Sequence, residues 1–184
     1  MQIDKHTLDE DLLYEIKHNN SKALKILFEK YYQVLCCFAF RYLKFTDLAE
    51  EAVSDVFLNI WLKKEKIEIK ANLKAYLYTA VRNQSLNYLK KRNIPHENID
   101  AVEKNNVISE LHADNLVAGK ELRDNINALL QQLPERRRII FFMSRIEGLS
   151  YKEIAEILSI SVNTVQNQMV EAVKFLSKKS SNYL

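Results

Sequence analysis

Glycine and proline are nearly absent from this chain of 184 residues: Gly119, Gly148, Pro95 and Pro134 are all it has. Turn-rich β architectures need many more of both, so their scarcity points to an all-α fold. Two glycines also rule out a glycine-rich phosphate loop or a dinucleotide fingerprint. Cysteine is equally scarce. Cys36 and Cys37 are neighbours inside the apolar run "VLCCFAF", poorly placed to bond each other, and buried free thiols fit a reducing, cytoplasmic setting. The four histidines, His6, His18, His96 and His112, have no metal-ligand spacing with each other or with cysteine, so no metal or other cofactor is expected. No stretch is long and apolar enough for membrane insertion, and "MQIDKHTLDE" lacks the apolar centre of a signal peptide.

What the chain does contain is apolar residues, at 47% of the total, enough for a buried core. Its net charge of +3 says little; the placement of charge says more. Between Phe45 and Leu62 stand Asp47, Glu50, Glu51 and Asp55 with no base. Between Ile69 and His96 stand Lys70, Lys74, Arg82, Lys90, Lys91 and Arg92 with no acid. Two regions of opposite sign imply two different partners.

Hydrophobic periodicity divides the chain into two small helical domains, an N-terminal helical bundle over residues 1–93 and a C-terminal domain over 121–184. In the first, helices are expected over Asp9–His18 and Lys22–Leu43, with Ser21 as an N-cap. The longer one has an apolar stripe through Leu24, Leu27, Phe28, Tyr31, Leu35, Phe38 and Tyr42. Thr46 is expected to cap the next helix, where the pairs Leu48/Ala49, Ala52/Val53, Val56/Phe57 and Ile60/Trp61 recur every four residues. "KKEKIEIKAN" breaks that period, and a last helix runs from about Leu73 to Arg92. Residues 94–120 lose periodicity and are acidic, as expected of a flexible linker. The second domain begins with two helices broken near Leu133-Pro134, with Pro134 in a first helical turn.

The stretch "LSYKEIAEILSISVNTVQNQMVEAV" has the form of a helix-turn-helix. Ser150 and Glu153 fit a capping box, and Ile154, Ala155 and Leu158 form the first apolar stripe. Ile160 plugs the turn and Ser161 caps the second helix, whose buried side is expected to be Val162, Val165, Met169, Ala172 and Val173. Asn163, Thr164, Gln166 and Asn167 then belong to the outward side, where amides can pair with adenine edges in a major groove. Arg136, Arg137, Arg138, Lys152 and Lys174 are available for phosphates. The same pattern also describes a plain helical hairpin with a solvated polar face.

Two longer stretches carry a resemblance. "LPERRRIIFFMSRIEGLSYKEIAEILSISVNTVQNQMVEAVKFL" resembles the promoter-binding C-terminal domain of extracytoplasmic-function (ECF) sigma factors of the sigma-70 family. "LFEKYYQVLCCFAFRYLKFTDLAEEAVSDVFLNIWLK" with "LKAYLYTAVRNQSLNYLKKR" resembles their N-terminal domain. The resemblance implies a factor that docks on core RNA polymerase, reads the minus-35 element of promoter DNA as duplex and opens the minus-10 element. It also implies an anti-sigma partner, membrane-anchored in many relatives; an enzyme acting on a small-molecule substrate is not expected, because no pair of carboxylates, nucleophile–base pair or metal cluster emerges from the residues. By that resemblance Asp47, Glu50, Glu51, Ser54, Asp55 and Leu58 match the helix that docks on the polymerase β′ subunit. Tyr78, Arg82, Asn83, Asn87, Lys90 and Lys91 match the minus-10 segment, which needs cations for phosphate and aromatics or amides for unstacked bases. Of Tyr76, Tyr78 and Tyr88, Tyr76 is the one expected in the core. The loop over Lys64–Asn72 corresponds to the place where relatives capture a flipped base.

The chain also departs from the family pattern. Asn87 stands where many relatives have an acid, Ser159 where the turn usually has glycine, and Gln166, Asn167 and Gln168 where relatives often carry Lys or Arg. Two other readings stay open on the residues alone. A stand-alone helix-turn-helix regulator of duplex operators explains the C-terminal motif but not the acidic helix. An interaction protein whose N-terminal domain merely sequesters a partner would bind polymerase or a regulator yet fail to initiate transcription.

Overall fold

The computed structural model of the chain describes residues 3–4, 6–69, 72–91 and 128–180. Among these the regular elements are all helical. The chain divides into two compact units, Met1–His96 and Glu97–Leu184. The expected linker over 94–120 and the expected helix end at Arg92 lie outside the described residues.

The first unit is built around one long helix. α1 spans Asp9–Lys17, α2 Ser21–Leu43, α3 Thr46–Lys63 and α4 Leu73–Lys91. α2 packs against the other three, and α4 also lies against α3 and α1. Its core holds Leu12, Ile16, Leu27, Leu35, Leu43, Val53, Ile60, Leu77 and Val81, all nearly or fully buried. Each such side chain contributes roughly 1.5–3 kcal/mol. The four-residue repeat of α3 is buried as expected except at Trp61, which stays half-exposed with Lys64 Nζ over its ring at 4.3 Å. Ser85 is fully buried, and its hydroxyl donates to the Val81 carbonyl at 2.8 Å, so its polarity is satisfied within α4.

Two helix starts differ from the sequence expectation. Asn20, not Ser21, caps α2: its Oδ1 accepts the Lys22 N–H at 3.1 Å, and Asn19 takes a left-handed conformation (φ 64°) to set up the turn. Thr46 is the first helical residue of α3, and Phe45 in the N-cap position supplies no side-chain bond. α2 ends at Lys44, left-handed at φ 62°, whose N–H reaches the Phe40 carbonyl at 2.8 Å. Beyond α3 a single 3-10 turn over Lys64–Lys66 leads to an extended segment with Ile67 buried.

The second unit holds a helical turn over 128–131, then α5 at Glu135–Arg145, α6 at Tyr151–Leu158 and α7 at Val162–Ser180. Pro134 sits in the N-cap position of α5, one residue before the first turn where the sequence placed it. α5 and α6 both pack on α7 and on each other. The shared core is Ile139, Ile140, Met143, Leu149, Ile154, Ala155, Ile157, Val165, Met169 and Ala172. Two expectations fail here. Ile157 is buried in α6, with Leu158 only half-buried. Val162 and Val173 are 45% and 47% exposed, because the arc of α7 that faces α5 and α6 is narrow and centres on Val165, Met169 and Ala172.

Candidate functional site

α3 turns one side to the core and the other to solvent. Asp47, Glu50, Glu51, Ser54 and Leu58 are all exposed, and Leu58 is 55% accessible, with Asp55 one turn and Glu51 two turns before it. Leu62, one turn further on, is 67% exposed. The i, i+4 step from Leu58 makes it the second apolar residue of this face, and the same step would have found it in the sequence. An apolar centre rimmed by charge suits a contact that is desolvated in the middle and steered at its edge. Asp55 differs from its neighbours. It is half-buried, and its Oδ2 accepts both Gln84 Nε2 and the Tyr88 hydroxyl from α4, each at 2.8 Å. Burial, then the hydrogen bonds to Asp55 and Glu51, push the Tyr88 phenol well above its ordinary value, so it remains a donor.

On α4 the structure brings Asn83, Asn87, Lys90 and Lys91 together on one exposed face. Tyr78 and Arg82 are not part of it. Tyr78 is 1% exposed and meets the Phe38 ring edge-on at 5.0 Å, so the expectation that it touches DNA is corrected: it is a core residue. Arg82 is half-buried and hydrogen-bonds Tyr42, whose phenol burial raises while Arg82 and Arg41 pull it down. The expectation that Tyr76 would be the core tyrosine is reversed as well. Tyr76 is half-exposed and stands seven residues before Asn83 and eleven before Asn87, on the same face by helical geometry. Reading three tyrosines as one aromatic set hid that spacing. Of the loop over Lys64–Asn72, Lys70 and Ala71 lie outside the described residues.

In the second unit, the capping box forms in full: the Ser150 N–H reaches Glu153 Oε2 at 2.8 Å and the Glu153 N–H reaches Ser150 Oγ at 3.3 Å. α6 ends at Ser159 in the left-handed region (φ 54°, ψ 48°), so the turn keeps the geometry that suits glycine while carrying a side chain. Ser161 then caps α7, accepting the Thr164 N–H at 3.0 Å, and the Thr164 hydroxyl lies 2.8 Å from it. Thr164 is thereby engaged at the cap. Asn163, Gln166 and Asn167 are exposed on the outer side of α7, whereas Gln168 accepts Arg137 Nε at 3.3 Å and belongs to the α5–α7 packing. Arg136 and Arg137 are half-exposed, Lys152 is exposed, and Lys174 pairs with Glu171 at 3.3 Å. Arg138 is half-buried, and burial lowers its guanidinium from the ordinary value.

A tightly capped helix pair that presents amides with cations nearby, together with a separate helical unit bearing one acidic–apolar face and one basic–amide face, defines a helix-turn-helix DNA-binding protein built to hold a second macromolecule as well. The chain belongs to the sigma-70 family: the model of Sigma-70 region 2 matches residues 27–94 and that of Sigma-70, region 4 matches residues 123–176, together more than half of the chain. It is similar to the ECF RNA polymerase sigma-E factor of Escherichia coli strain K12, 26% identical over 179 residues covering 93% of each chain. The factor of the same name from Haemophilus influenzae is 25% identical over 179 residues, covering 93% of this chain and 94% of its own. Two solved structures share the fold. One is CnrH in complex with the cytosolic domain of CnrY (TM-score 0.53, 16% identity, 97% of this chain and 99% of that one). The other is the sigma factor RpoE in complex with the anti-sigma factor NepR from Bartonella quintana (TM-score 0.51, 23% identity, 85% and 96%).

Among the described residues no helix is long and apolar enough to cross a membrane, and no three His, Cys, Asp or Glu side chains are grouped to hold a metal. Cys36 and Cys37 form no disulfide; burial pushes them up to about 12 and about 11, so both stay protonated at neutral pH.

Proposed function

We propose that this chain is a sigma factor of the ECF type: it binds core RNA polymerase and directs promoter-specific initiation. The observation that carries this reading is the co-occurrence, in chain order, of the region 2 and region 4 matches. Each unit also bears a face of the chemistry its step needs. The acidic rim and apolar centre of α3, Asp47, Glu50, Glu51, Ser54 and Leu58 with Leu62 and the edge residue Asp55, dock on the β′ subunit. Asn83, Asn87, Lys90 and Lys91, with Tyr76 in place of Tyr78, meet the opened minus-10 strand. Gln166, Asn167 and Asn163 read the minus-35 duplex, while Arg136, Arg137, Lys152 and Lys174 hold its phosphates. The protein acts in the cytoplasm, catalyses no reaction of its own and needs no cofactor. An anti-sigma factor is a further partner, since RpoE was solved with one.

The stand-alone regulator accounts for α6 and α7 but leaves the solvent face of α3 without a role. Run-off transcription separates the two. Added to core polymerase on a genomic fragment library, the protein is expected to create discrete new start sites. Specific duplex binding in the absence of polymerase, with no new start site in its presence, would favour the regulator instead.

A further inference from the structure

Asp55, on the α3 face, is also held from α4. Gln84 Nε2 and the Tyr88 hydroxyl converge on its Oδ2, each at 2.8 Å, so the carboxylate is gripped through one oxygen while Oδ1 receives neither donor. Both donors come from the helix that presents Asn83, Asn87, Lys90 and Lys91; Gln84 follows Asn83 directly and Tyr88 follows Asn87. Glu51, one turn before Asp55, adds its negative charge beside the phenol and helps keep it protonated, so the proton stays available to Asp55. An aspartate side chain free to turn spends part of its time pointing away from any given partner, and two fixed donors remove that freedom before binding. Neither donor is needed for core burial, since both side chains are half-exposed at the seam between α3 and α4.

We infer that Tyr88 and Gln84 are positioning residues for polymerase docking: they fix the Asp55 carboxylate in its docking orientation and tie it to the helix that faces the opened strand. This rests on the docking role given to α3 above. Removing the phenol frees the carboxylate without removing its charge. Because α4 supplies the grip, a displacement of α4 at the minus-10 DNA alters Asp55, and docking at Asp55 in turn favours one placement of α4. Such coupling is reciprocal by thermodynamic necessity.

The test is a double-mutant cycle on the full-length chain, read as affinity for core polymerase by the anisotropy of a fluorescent label. Tyr88→Phe is expected to weaken binding about 3- to 10-fold in the parent, the range of one ordinary hydrogen bond, because Gln84 still holds the carboxylate. In an Asp55→Ala background it is expected to do nothing further. Gln84→Met provides a second variant of the same kind, and circular dichroism checks that each retains its helices. An equal loss from Tyr88→Phe in both backgrounds overturns the inference, because the phenol then acts through general stability. So does parent-like binding by Tyr88→Phe when Asp55→Ala is clearly impaired. If Asp55→Ala itself binds like the parent, the docking role of Asp55 falls, and the positioning role with it.

Discussion

α3 and α7 are both half-buried amphipathic helices, yet they present opposite chemistry to solvent. α3 shows carboxylates along its N-terminal half, leading to Leu58 and Leu62; α7 shows uncharged amides, with its cations at the periphery or on α5 and α6. A carboxylate rim repels DNA and attracts a basic protein surface, so it selects the class of partner. Amides are neutral toward phosphate and discriminate among base edges, so they select sequence within a class of partner. The two faces also differ in how they are held. Asp55 depends on side chains from another helix, Gln84 and Tyr88, whereas α7 is set by its own cap at Ser161 and by the turn at Ser159. Changes on α3 should therefore alter how much polymerase is engaged, and changes on α7 should alter where.

The largest effect is expected on the α3 side. Asp55→Lys with Leu58→Ala should weaken core binding roughly a hundredfold, since charge reversal adds repulsion to lost attraction. The helices should persist, because Leu58 is exposed and Asp55 lies at the seam of α3 and α4 rather than in the apolar core, and circular dichroism checks this. Co-purification with core polymerase checks it; parent-like recovery of the double mutant would break the contrast at its first term.

Next in size is strand opening. Lys90→Glu with Lys91→Glu, or Asn83→Ala, should leave core binding intact and impair open-complex formation. Permanganate reactivity of unpaired thymines across the minus-10 region reads this directly, with markedly less cleavage expected in both. The lysine pair should also flatten the salt dependence of promoter binding by about two in slope. Unchanged reactivity in both variants would mean that the opened strand meets another face.

Smaller effects are expected on the α7 side. Gln166→Ala or Asn167→Ala should cost about 1–3 kcal/mol at one base pair and relax preference there. Arg136→Ala should instead weaken all promoters alike and lower the salt slope by about one. A randomised minus-35 library transcribed by each variant tells the two signatures apart. If both amide variants keep the parent's base preferences, DNA shape is what is read.

The smallest effect concerns the turn. Ser159 adopts φ 54°, a conformation that costs a residue with a Cβ about 1–2 kcal/mol, while glycine brings extra freedom to the unfolded chain. Ser159→Gly should thus stabilise the C-terminal unit by about 0.5–1 kcal/mol without changing promoter preference. Thermal unfolding checks it, and a lower melting temperature would show that the serine side chain supports the turn.

Much of this was legible in the residues. The buried repeat of α3, the capping box at Ser150 and the outward amides of α7 follow from local periodicity and capping rules, and these hold whatever the neighbours do. The misreadings came where burial depends on which helix lies opposite. Tyr76 and Tyr78 are two residues apart in α4, and the helices packed on α4, with Phe38 of α2 against the Tyr78 ring, make Tyr78 the core residue. Val162 and Val173 are as apolar as Val165, but α5 and α6 cover a narrow arc and leave both exposed. Nor does spacing reveal that Asp55 is shared between helices, because Gln84 and Tyr88 lie 29 and 33 residues away.

The division of labour itself is tested most directly by mapping start sites across a genomic fragment library, with the parent, the Asp55→Lys/Leu58→Ala variant and the Gln166→Ala/Asn167→Ala variant each added to core polymerase. The α3 variant is expected to give the parent's promoters in the parent's order at a uniformly lower yield, recovered by raising its concentration. The α7 variant is expected to bind core normally and to reorder the promoters. A reordered list from the α3 variant, or an unchanged list at reduced core affinity from the α7 variant, would contradict the account.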